Sequence, residues 1–148
     1  MTKVYALERT DGGVAIMRCL GEADPASEIS RWHPAQRAQL TGVIAPLDPA
    51  TIPADRTFRD AWTPALAVDM VKARSIHMGR IRGARDAELE RLDLETIKAV
   101  GSGDAAKLAE IEAQKRTLRD LPQTFDLSGA ATPDALKTLW PAQLPKPA

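Results

Sequence analysis

The sequence predicts an α+β protein that is mainly helical, with a small N-terminal β-hairpin or sheet, a long antiparallel helical hairpin and a short C-terminal helix. The placement of proline carries most of this prediction. No proline lies between Pro64 and Pro122, and proline disrupts helix interiors because it lacks a backbone N–H and clashes with the preceding turn. We therefore divide the chain into a β-containing region 1–66, a helical hairpin 67–121, and a tail 122–148 with a short helix at 132–140.

The β-hairpin is predicted from a turn between two apolar runs near the N-terminus. The runs Lys3–Leu7 and Val14–Leu20 flank Thr10-Asp11-Gly12-Gly13, and Asp and Gly tolerate the positive φ that a tight turn requires. Thr41–Leu47 predicts a third strand. Two or three short strands bury little apolar surface by themselves, so we expect this region to pack against the helices or against a partner chain.

A short helix and a long loop are predicted between and after these strands. Asp24-Pro25 is typical of an N-cap followed by proline at the first helical position. This helix is predicted to run through Trp32 and to end at Pro34. The stretch from Pro46 to Pro64 predicts extended loop structure.

The helical hairpin is predicted from caps and from apolar spacing. Asp69 is the predicted N-cap of the first helix, Gly101-Ser102-Gly103 ends it, and Asp104 caps the second helix, which ends near Leu121. Because the connection is short, the helices are expected to be antiparallel neighbours, with Lys115 and Arg116 opposite Glu88 and Glu90. The predicted apolar stripes are Met70, Ala73, Ile76, Ile81, Ala84, Leu89, Leu92, Ile97 and Val100 on the first helix, and Ala105, Leu108, Ile111, Leu118 and Leu121 on the second.

Charge is segregated along the first predicted helix, with cations in its first half and mostly anions in its second. This order reverses the preference of the helix macrodipole. The first helix is also longer than the second, so its basic part, 69–82, is predicted to extend beyond the hairpin. One interpretation is a docking surface for an acidic partner; the other is a solvated basic face that Asp120, Asp126 and Asp134 neutralise. The cations are Lys72, Arg74, Arg80, Arg82 and Arg85.

The tail contains a further helix signal. Thr132-Pro133-Asp134 combines an N-cap with proline at the first helical position. Leu136, Leu139 and Trp140 follow on one face, and Pro141 ends the helix. We predict that Trp140 packs as core, with an exposed anchor at an interface as the alternative, because Trp is enriched at such positions.

Composition and motifs narrow the classes of function. The formal net charge of zero gives no general attraction to nucleic acid or membrane, and no window approaches the ~20 apolar residues of a membrane span. A single cysteine, Cys19, fits a reducing cytosol. Phosphate-loop, zinc and nucleophile-elbow motifs are absent from the sequence, so we predict no enzyme, no cofactor and no metal. His33 is expected to be a cap and His77 a partly buried, satisfied histidine.

An ordered series of short segments resembles small proteins encoded by tailed phages and prophages. The resemblance covers about Ile52 to Pro141 and is loosely similar to phage tail-fibre assembly chaperones, which also carry an arginine-rich helix and a terminal Trp-Pro. It implies a non-enzymatic assembly protein. The segments are Ile52-Pro53-Ala54-Asp55-Arg56-Thr57-Phe58-Arg59-Asp60-Ala61-Trp62, Val68-Asp69-Met70-Val71-Lys72-Ala73-Arg74-Ser75-Ile76-His77, Ile81-Arg82-Gly83-Ala84-Arg85, Leu92-Asp93, Gly103-Asp104, Lys115-Arg116-Thr117-Leu118-Arg119-Asp120, Thr132-Pro133-Asp134-Ala135-Leu136-Lys137 and Trp140-Pro141.

Two functional hypotheses follow, and a third is weaker. In the first, the chain binds a phage tail or fibre subunit in the bacterial host cytoplasm, with the five cations named above steering an acidic partner and Trp62 and Trp140 as apolar anchors. In the second, it is a structural virion component, such as a tail, adaptor or fibre-attachment subunit, that self-associates in a ring or trimer. Nucleic-acid binding is disfavoured by the zero net charge and would require an affinity that falls steeply with salt.

Overall fold

The structure, a computed structural model, describes residues 2–147 and forms two compact units, 1–73 and 74–148. It confirms the predicted fold class: a three-stranded antiparallel sheet precedes two long packed helices and a short C-terminal helix. The boundary between the units falls inside the first long helix, and the C-terminal tail belongs to the same unit as most of the helical hairpin. Within residues 2–147, no helix is both long and apolar enough to cross a lipid bilayer.

The sheet of the N-terminal unit has β1 (Thr2–Arg9) at its centre, between β2 (Val14–Leu20) and β3 (Leu40–Leu47). β1 pairs antiparallel with both neighbours. The predicted turn is confirmed: Gly12 has a φ of 76°, and the Arg9 N–H donates to the Gly13 carbonyl at 2.9 Å. Gly12 therefore supplies the left-handed conformation that the hairpin needs.

Both faces of the sheet are covered by residues of the same unit. Because side chains alternate along a strand, neighbouring strand residues contribute to opposite faces. Ala6, Val14 and Trp62 form a core on one face. Leu7, Met17 and Cys19 form a core on the other, against which Ile29 and Trp32 pack, among other partly buried residues. Each face thus carries a core along β1 and β2, whereas β3 has no buried residue.

Short helices in this unit follow the predicted caps with one difference. α1 (Pro25–Ser30) is capped by Asp24, whose carboxylate accepts from the Ser27 N–H at 3.0 Å. Pro34 begins a further helix, α2 (Pro34–Arg37), which the sequence reading missed because it treated this proline only as a stop. The predicted cap at His33 is confirmed, since its Nδ1 accepts from the Ala35 N–H at 3.2 Å.

The helical hairpin consists of α3 (Met70–Ser102) and α4 (Ala105–Thr124). Asp69 and Asp104 are the N-caps, as predicted. α3 continues through Ser102, and Gly103 ends it with a φ of 70°. The predicted end of α4 at Leu121 is wrong by three residues, since Pro122 lies inside its last turn; a proline there removes one donor without preventing the turn from forming.

The predicted register between α3 and α4 is also corrected. Lys115 contacts Asp93, with Nζ and Oδ1 2.7 Å apart, and donates to the Thr96 hydroxyl at 2.8 Å, whereas Glu88 pairs with Arg91 on its own helix. Because only Gly103 and Asp104 connect the two helices, Lys115 meets residues of α3 that lie closer to the turn than Glu88 and Glu90.

The apolar stripe predicted for α3 is correct only in part. Ala73, Ile81 and Leu92 are buried, but Ile97 and Val100 are 68% and 62% exposed. Their spacing is helical, but it places them on the side of the helix that α4 does not cover. The tail helix α5 (Pro133–Thr138) begins at the predicted Thr132 cap, whose hydroxyl accepts from the Ala135 N–H at 3.2 Å.

Candidate functional site

Hydrogen bonds within the chain hold the predicted partner-binding cations Lys72, Arg74 and Arg85. Lys72 Nζ donates to the Asp11 carbonyl at 2.6 Å, and Arg74 Nη2 donates to the Ala130 carbonyl at 2.8 Å. Arg85 donates to its neighbour Asp86 through both Nε and Nη2, at 2.9 and 2.7 Å. These side chains hold the fold together locally, so they do not form one free cationic surface.

Arg80 and Arg82 have a different placement, since both side chains are exposed on α3. For Arg82 the structure of residues 2–147 contains no ion pair or side-chain hydrogen bond. Arg82 can therefore reach a partner without breaking contacts of the kind made by Lys72, Arg74 and Arg85.

The predicted extension of α3 beyond α4 is confirmed, since α3 has 33 residues and α4 has 20, and the tail returns along part of this extension. Arg74 contacts the tail at Ala130, and His77 Nε2 lies 2.7 Å from the Leu139 carbonyl oxygen. Since a carbonyl can only accept, the His77 Nε2 carries the proton of this hydrogen bond. The sequence reading underestimated the tail because its helix is short and most of its path is irregular.

The two predicted tryptophan anchors lie in different environments. Trp62 is 2% exposed within the core of the N-terminal unit, so it cannot serve as a surface anchor without opening that core. Trp140 is half-buried: its ring lies edge-on to His77 with centroids 5.8 Å apart, and its Nε1 donates to the Pro145 carbonyl at 2.9 Å. Trp140 therefore anchors the tail, in agreement with the predicted packing role.

The counter-charges predicted for the basic part of α3 are partly in place. The pKa of Asp126 is lowered chiefly by a hydrogen bond from the Ser128 backbone N–H and next by one from the Ser128 hydroxyl. The positive charge of Arg74 makes a smaller contribution in the same direction. The structure thus supports the interpretation in which tail carboxylates balance some of these cations.

The outer face of α3 is a surface of this helix that carries exposed apolar side chains. It consists of residues at alternating spacings of three and four, which share one side of an α-helix. Leu94 and Ile97 are 61% and 68% exposed on this face. Its members from the middle of the helix onward are Gly83, Ala87, Glu90, Leu94, Ile97 and Gly101, and Arg80 and Arg82 border its first half.

A groove between α3 and α4 has a volume of about 390 Å³. Its charged residues neutralise each other, because Arg91 Nη2 contacts Glu88 Oε1 at 2.7 Å and this hydrogen bond lowers the pKa of Glu88. Among residues 2–147, the lining of the groove includes one carboxylate, Glu88, which is paired with Arg91, and no histidine or cysteine. The lining residues are Glu88, Arg91, Leu92, Gln114, Thr117, Leu118 and Gln143.

A second cavity, of about 330 Å³, lies in the N-terminal unit and was missed by the sequence reading. Arg18, Arg56 and Arg59 line it together with Ile16 and Trp62, and we refer to it as the arginine pocket. One signal was available in the sequence: Arg56 and Arg59 alternate with Phe58 and Trp62, which is typical of a turn with one buried side. The contribution of Arg18 depends on tertiary structure, since it comes from a distant strand.

Residues 2–147 contain no group of three or more His, Cys, Asp or Glu side chains arranged to hold a metal ion. Cys19 is buried among apolar residues of the sheet, as its apolar sequence neighbours predicted.

Comparison with protein-family models, with curated proteins and with solved structures yields no significant match in any of the three searches. The function of the chain is therefore argued from its surfaces.

Proposed function

We propose that this chain is a non-enzymatic tailed-phage protein that assists tail or tail-fibre assembly by binding an acidic segment of a tail or fibre subunit in the host cytoplasm. The observation that carries the proposal is the outer face of α3, where exposed Arg80 and Arg82 are followed by exposed Leu94 and Ile97. A surface with cations at one end and apolar residues at the other fits a partner that combines acidic and apolar residues.

The resemblance described above supports the phage assignment. It rests on the order of several short segments between Ile52 and Pro141, one of which, Ile81-Arg82-Gly83-Ala84-Arg85, contributes directly to the outer face. A holding role also fits this surface. Exposed guanidinium groups accelerate encounter with an acidic partner, and contacts of a few exposed side chains allow the partner to leave when it trimerises or docks.

The test begins with peptide mass spectrometry of purified particles and of the particle-free lysate from the induced source strain. An assembly helper is expected only in the lysate, co-eluting with a tail or fibre subunit. That subunit is then purified, and its affinity for the chain is measured at two salt concentrations. Recovery of the chain from intact particles in amounts matching a tail subunit would contradict the helper role.

Charge reversal locates the binding surface. The double variant Arg80→Glu and Arg82→Glu is expected to weaken binding of the subunit at least tenfold and to reduce its salt dependence, because exposed charge pairs are screened by salt. Arg119→Glu is the matched control, since Arg119 is an exposed arginine on α4 that lies outside the outer face. Equal affinity of the double variant and the control would refute the role of α3.

A second candidate function is a structural virion component that self-associates, and the exposed apolar half of α3 favours it. The occupant of the outer face is then a second copy in antiparallel orientation, which places the acidic half of each α3, with Glu90 and Asp93, against Arg80 and Arg82 of the other. The helix macrodipole disfavours the charge order of α3. Pairing between two antiparallel copies would account for that order, because it brings opposite charges together.

Analytical ultracentrifugation over a range of protein concentrations distinguishes this candidate from the first. The double variant Leu94→Gln and Ile97→Gln is expected to remain monomeric where the native chain dimerises. Val71→Gln is the control, because Val71 is 74% exposed on α3 but lies outside the outer face. A native chain that is monomeric at all concentrations would exclude self-association as the function.

A further inference from the structure

We propose that the arginine pocket binds a carboxylate side chain from an acidic, partly apolar peptide segment of a partner chain. The proposal uses residues other than those of the outer face of α3, and it does not depend on the phage assignment. It stands on the geometry of one short turn, the position of one strand residue, and the charges of the pocket.

The turn that carries Arg56 and Arg59 is fixed by its backbone. The Arg59 N–H donates to the Arg56 carbonyl at 3.1 Å, and the Trp62 N–H donates to the Arg59 carbonyl at 3.1 Å. The carboxylate of Asp55 accepts from the Thr57 N–H at 2.9 Å and closes the start of the turn. The two arginines therefore extend from a hydrogen-bonded support.

One side of the same turn is packed into the core of the N-terminal unit. Phe58 is 2% exposed, Ala61 is fully buried and Trp62 is 2% exposed. These residues alternate with exposed Arg56 and Arg59, so the apolar side of the turn is held by the core while the guanidinium groups remain in solvent. Because the backbone of the turn is already ordered, binding loses little conformational entropy there, and the entropic cost of association is lower.

Arg18 reaches the pocket from β2. In the register of the sheet, Arg18 lies opposite Val4 and Ile16 lies opposite Ala6. Because side chains alternate along a strand, Ile16 and Arg18 are on the same face as Val14, which belongs to the Trp62 core. The strand thus continues the apolar surface of this core through Ile16 and ends it with a cation at Arg18.

The charges of the pocket are unbalanced. Within the part of the chain that the structure describes, its lining contains three arginines and no carboxylate. Elsewhere in the chain, Arg9, Arg31 and Arg91 each form an ion pair, whereas within residues 2–147 Arg18, Arg56 and Arg59 form none. Three guanidinium groups around one cavity repel one another, and a bound oxyanion removes this repulsion while accepting several charge-assisted hydrogen bonds.

The shape and the remaining walls of the pocket favour a carboxylate on a peptide. Guanidinium groups bind both carboxylate and phosphate through paired N–H donors. The apolar part of the lining consists of the partly exposed Ile16 and a small exposed part of the largely buried Trp62, and it matches the carbon stem of an Asp or Glu side chain. A polyanion such as nucleic acid is disfavoured because the chain has a formal net charge of zero.

Fluorescence polarisation of a labelled peptide with alternating Glu and Leu, titrated with the full chain, tests this proposal. The matched peptide has Gln in place of every Glu, and inorganic phosphate serves as a competitor. The Glu peptide is expected to bind at least tenfold more tightly than the Gln peptide. Single variants Arg18→Gln, Arg56→Gln and Arg59→Gln are each expected to weaken it about three- to tenfold, as loss of a charge-assisted contact at an exposed site implies.

Two controls separate this pocket from general electrostatics. Arg37→Gln removes an exposed arginine of the same unit that does not line the pocket, and Arg119→Gln removes an exposed arginine of α4 that belongs to neither proposed surface. Both variants are expected to leave peptide affinity unchanged. Circular dichroism verifies that each variant is folded. Failure of the phage proposal therefore leaves this result intact, and the reverse also holds.

Two results would overturn the proposal. The triple variant combines Arg18→Gln, Arg56→Gln and Arg59→Gln. If the Glu peptide bound this triple variant with unchanged affinity, the pocket would not be its binding site. Equal binding of the Glu and Gln peptides, together with binding of inorganic phosphate that the triple variant loses, would identify a phosphate site in place of a site for acidic peptides.

Discussion

The two compact units are stabilised in different ways. In the N-terminal unit, 1–73, apolar side chains cover both faces of a three-stranded sheet, with Leu7 fully buried and Trp62 2% exposed. In the C-terminal unit, 74–148, polar side chains complete the packing, since His77 and Lys115 are 4% and 5% exposed and both are hydrogen-bonded. A sheet presents two faces that alternate along each strand, whereas a two-helix hairpin encloses a narrow core whose edges long polar side chains can close.

This comparison is tested most strongly by removing one tryptophan from each unit. Trp62→Ala is expected to lower the free energy of unfolding by about 3–5 kcal/mol, because it empties part of a buried core. Trp140→Ala is expected to lower it by about 1–2 kcal/mol, because that ring is half-buried and loses chiefly its contact with His77. Urea unfolding followed by circular dichroism measures both. A larger effect at Trp140 would reverse the proposed difference between the units.

The polar closure of the C-terminal unit is tested at Lys115. Lys115→Ala is expected to cost about 1–2 kcal/mol, since the buried carbon stem packs between the helices. Lys115→Met keeps the stem but removes the ammonium from the well-solvated Asp93 and Glu112 and from the Thr96 hydroxyl. Because the carboxylates stay hydrated and Thr96 still donates to the Leu92 carbonyl, we expect a cost below about 1 kcal/mol. A strongly destabilised Met variant would show that the ion pair, and not the stem, stabilises the hairpin.

Substitutions of one glycine in α3 and of the glycine that follows it are expected to change stability by smaller amounts and in opposite directions. No atom lies within 4 Å of a Cβ added at Gly83, so Gly83→Ala is expected to stabilise the monomer by about 0.8–1 kcal/mol. Gly103→Ala is expected to destabilise it by about 1–2 kcal/mol, since Gly103 has a φ of 70°. Thermal unfolding at low protein concentration measures both changes. Loss of self-association in Gly83→Ala, with the monomer stabilised, would indicate a closely packed helix on the outer face.

The smallest expected effect concerns Asp126, which helps to hold the tail. Its pKa in the folded chain lies below the ordinary value of about 3.9, chiefly because Ser128 donates to it. Its contribution to stability is therefore fully present above about pH 4 and is lost as the pH falls through the lower pKa of the folded chain. Melting temperatures measured from pH 6 to pH 3 are expected to fall less steeply for Asp126→Asn. Identical slopes would exclude this linkage.

Local signals in the sequence predicted most of the fold. The caps at Asp24, Asp69, Asp104 and Thr132 and the turn at Gly12 each occur where short-range chemistry favours them, and each is present in the structure. Short-range pattern did not identify which apolar residues of α3 are exposed. Ile97 and Leu92 both have helical spacing, and only the position of α4 decides that Leu92 is buried and Ile97 is not.

The candidate surfaces were less predictable than the fold. The sequence identified Arg80 and Arg82 as part of a cationic helix, but it grouped them with Lys72 and Arg74, whose hydrogen-bond partners are backbone carbonyls far away in the chain. Arg18 could not be assigned to a pocket with Arg56 and Arg59, since strand register and a distant turn bring them together.

The sequence by itself determined where helices and strands begin, where the chain turns, and that charge changes sign along α3, because these properties depend on residues within one or two turns of each other. Tertiary structure decided which faces are covered, that the tail returns along the first half of α3, and that three arginines share one pocket. These features depend on contacts between residues distant in sequence, and their geometry is set by packing that no local pattern specifies.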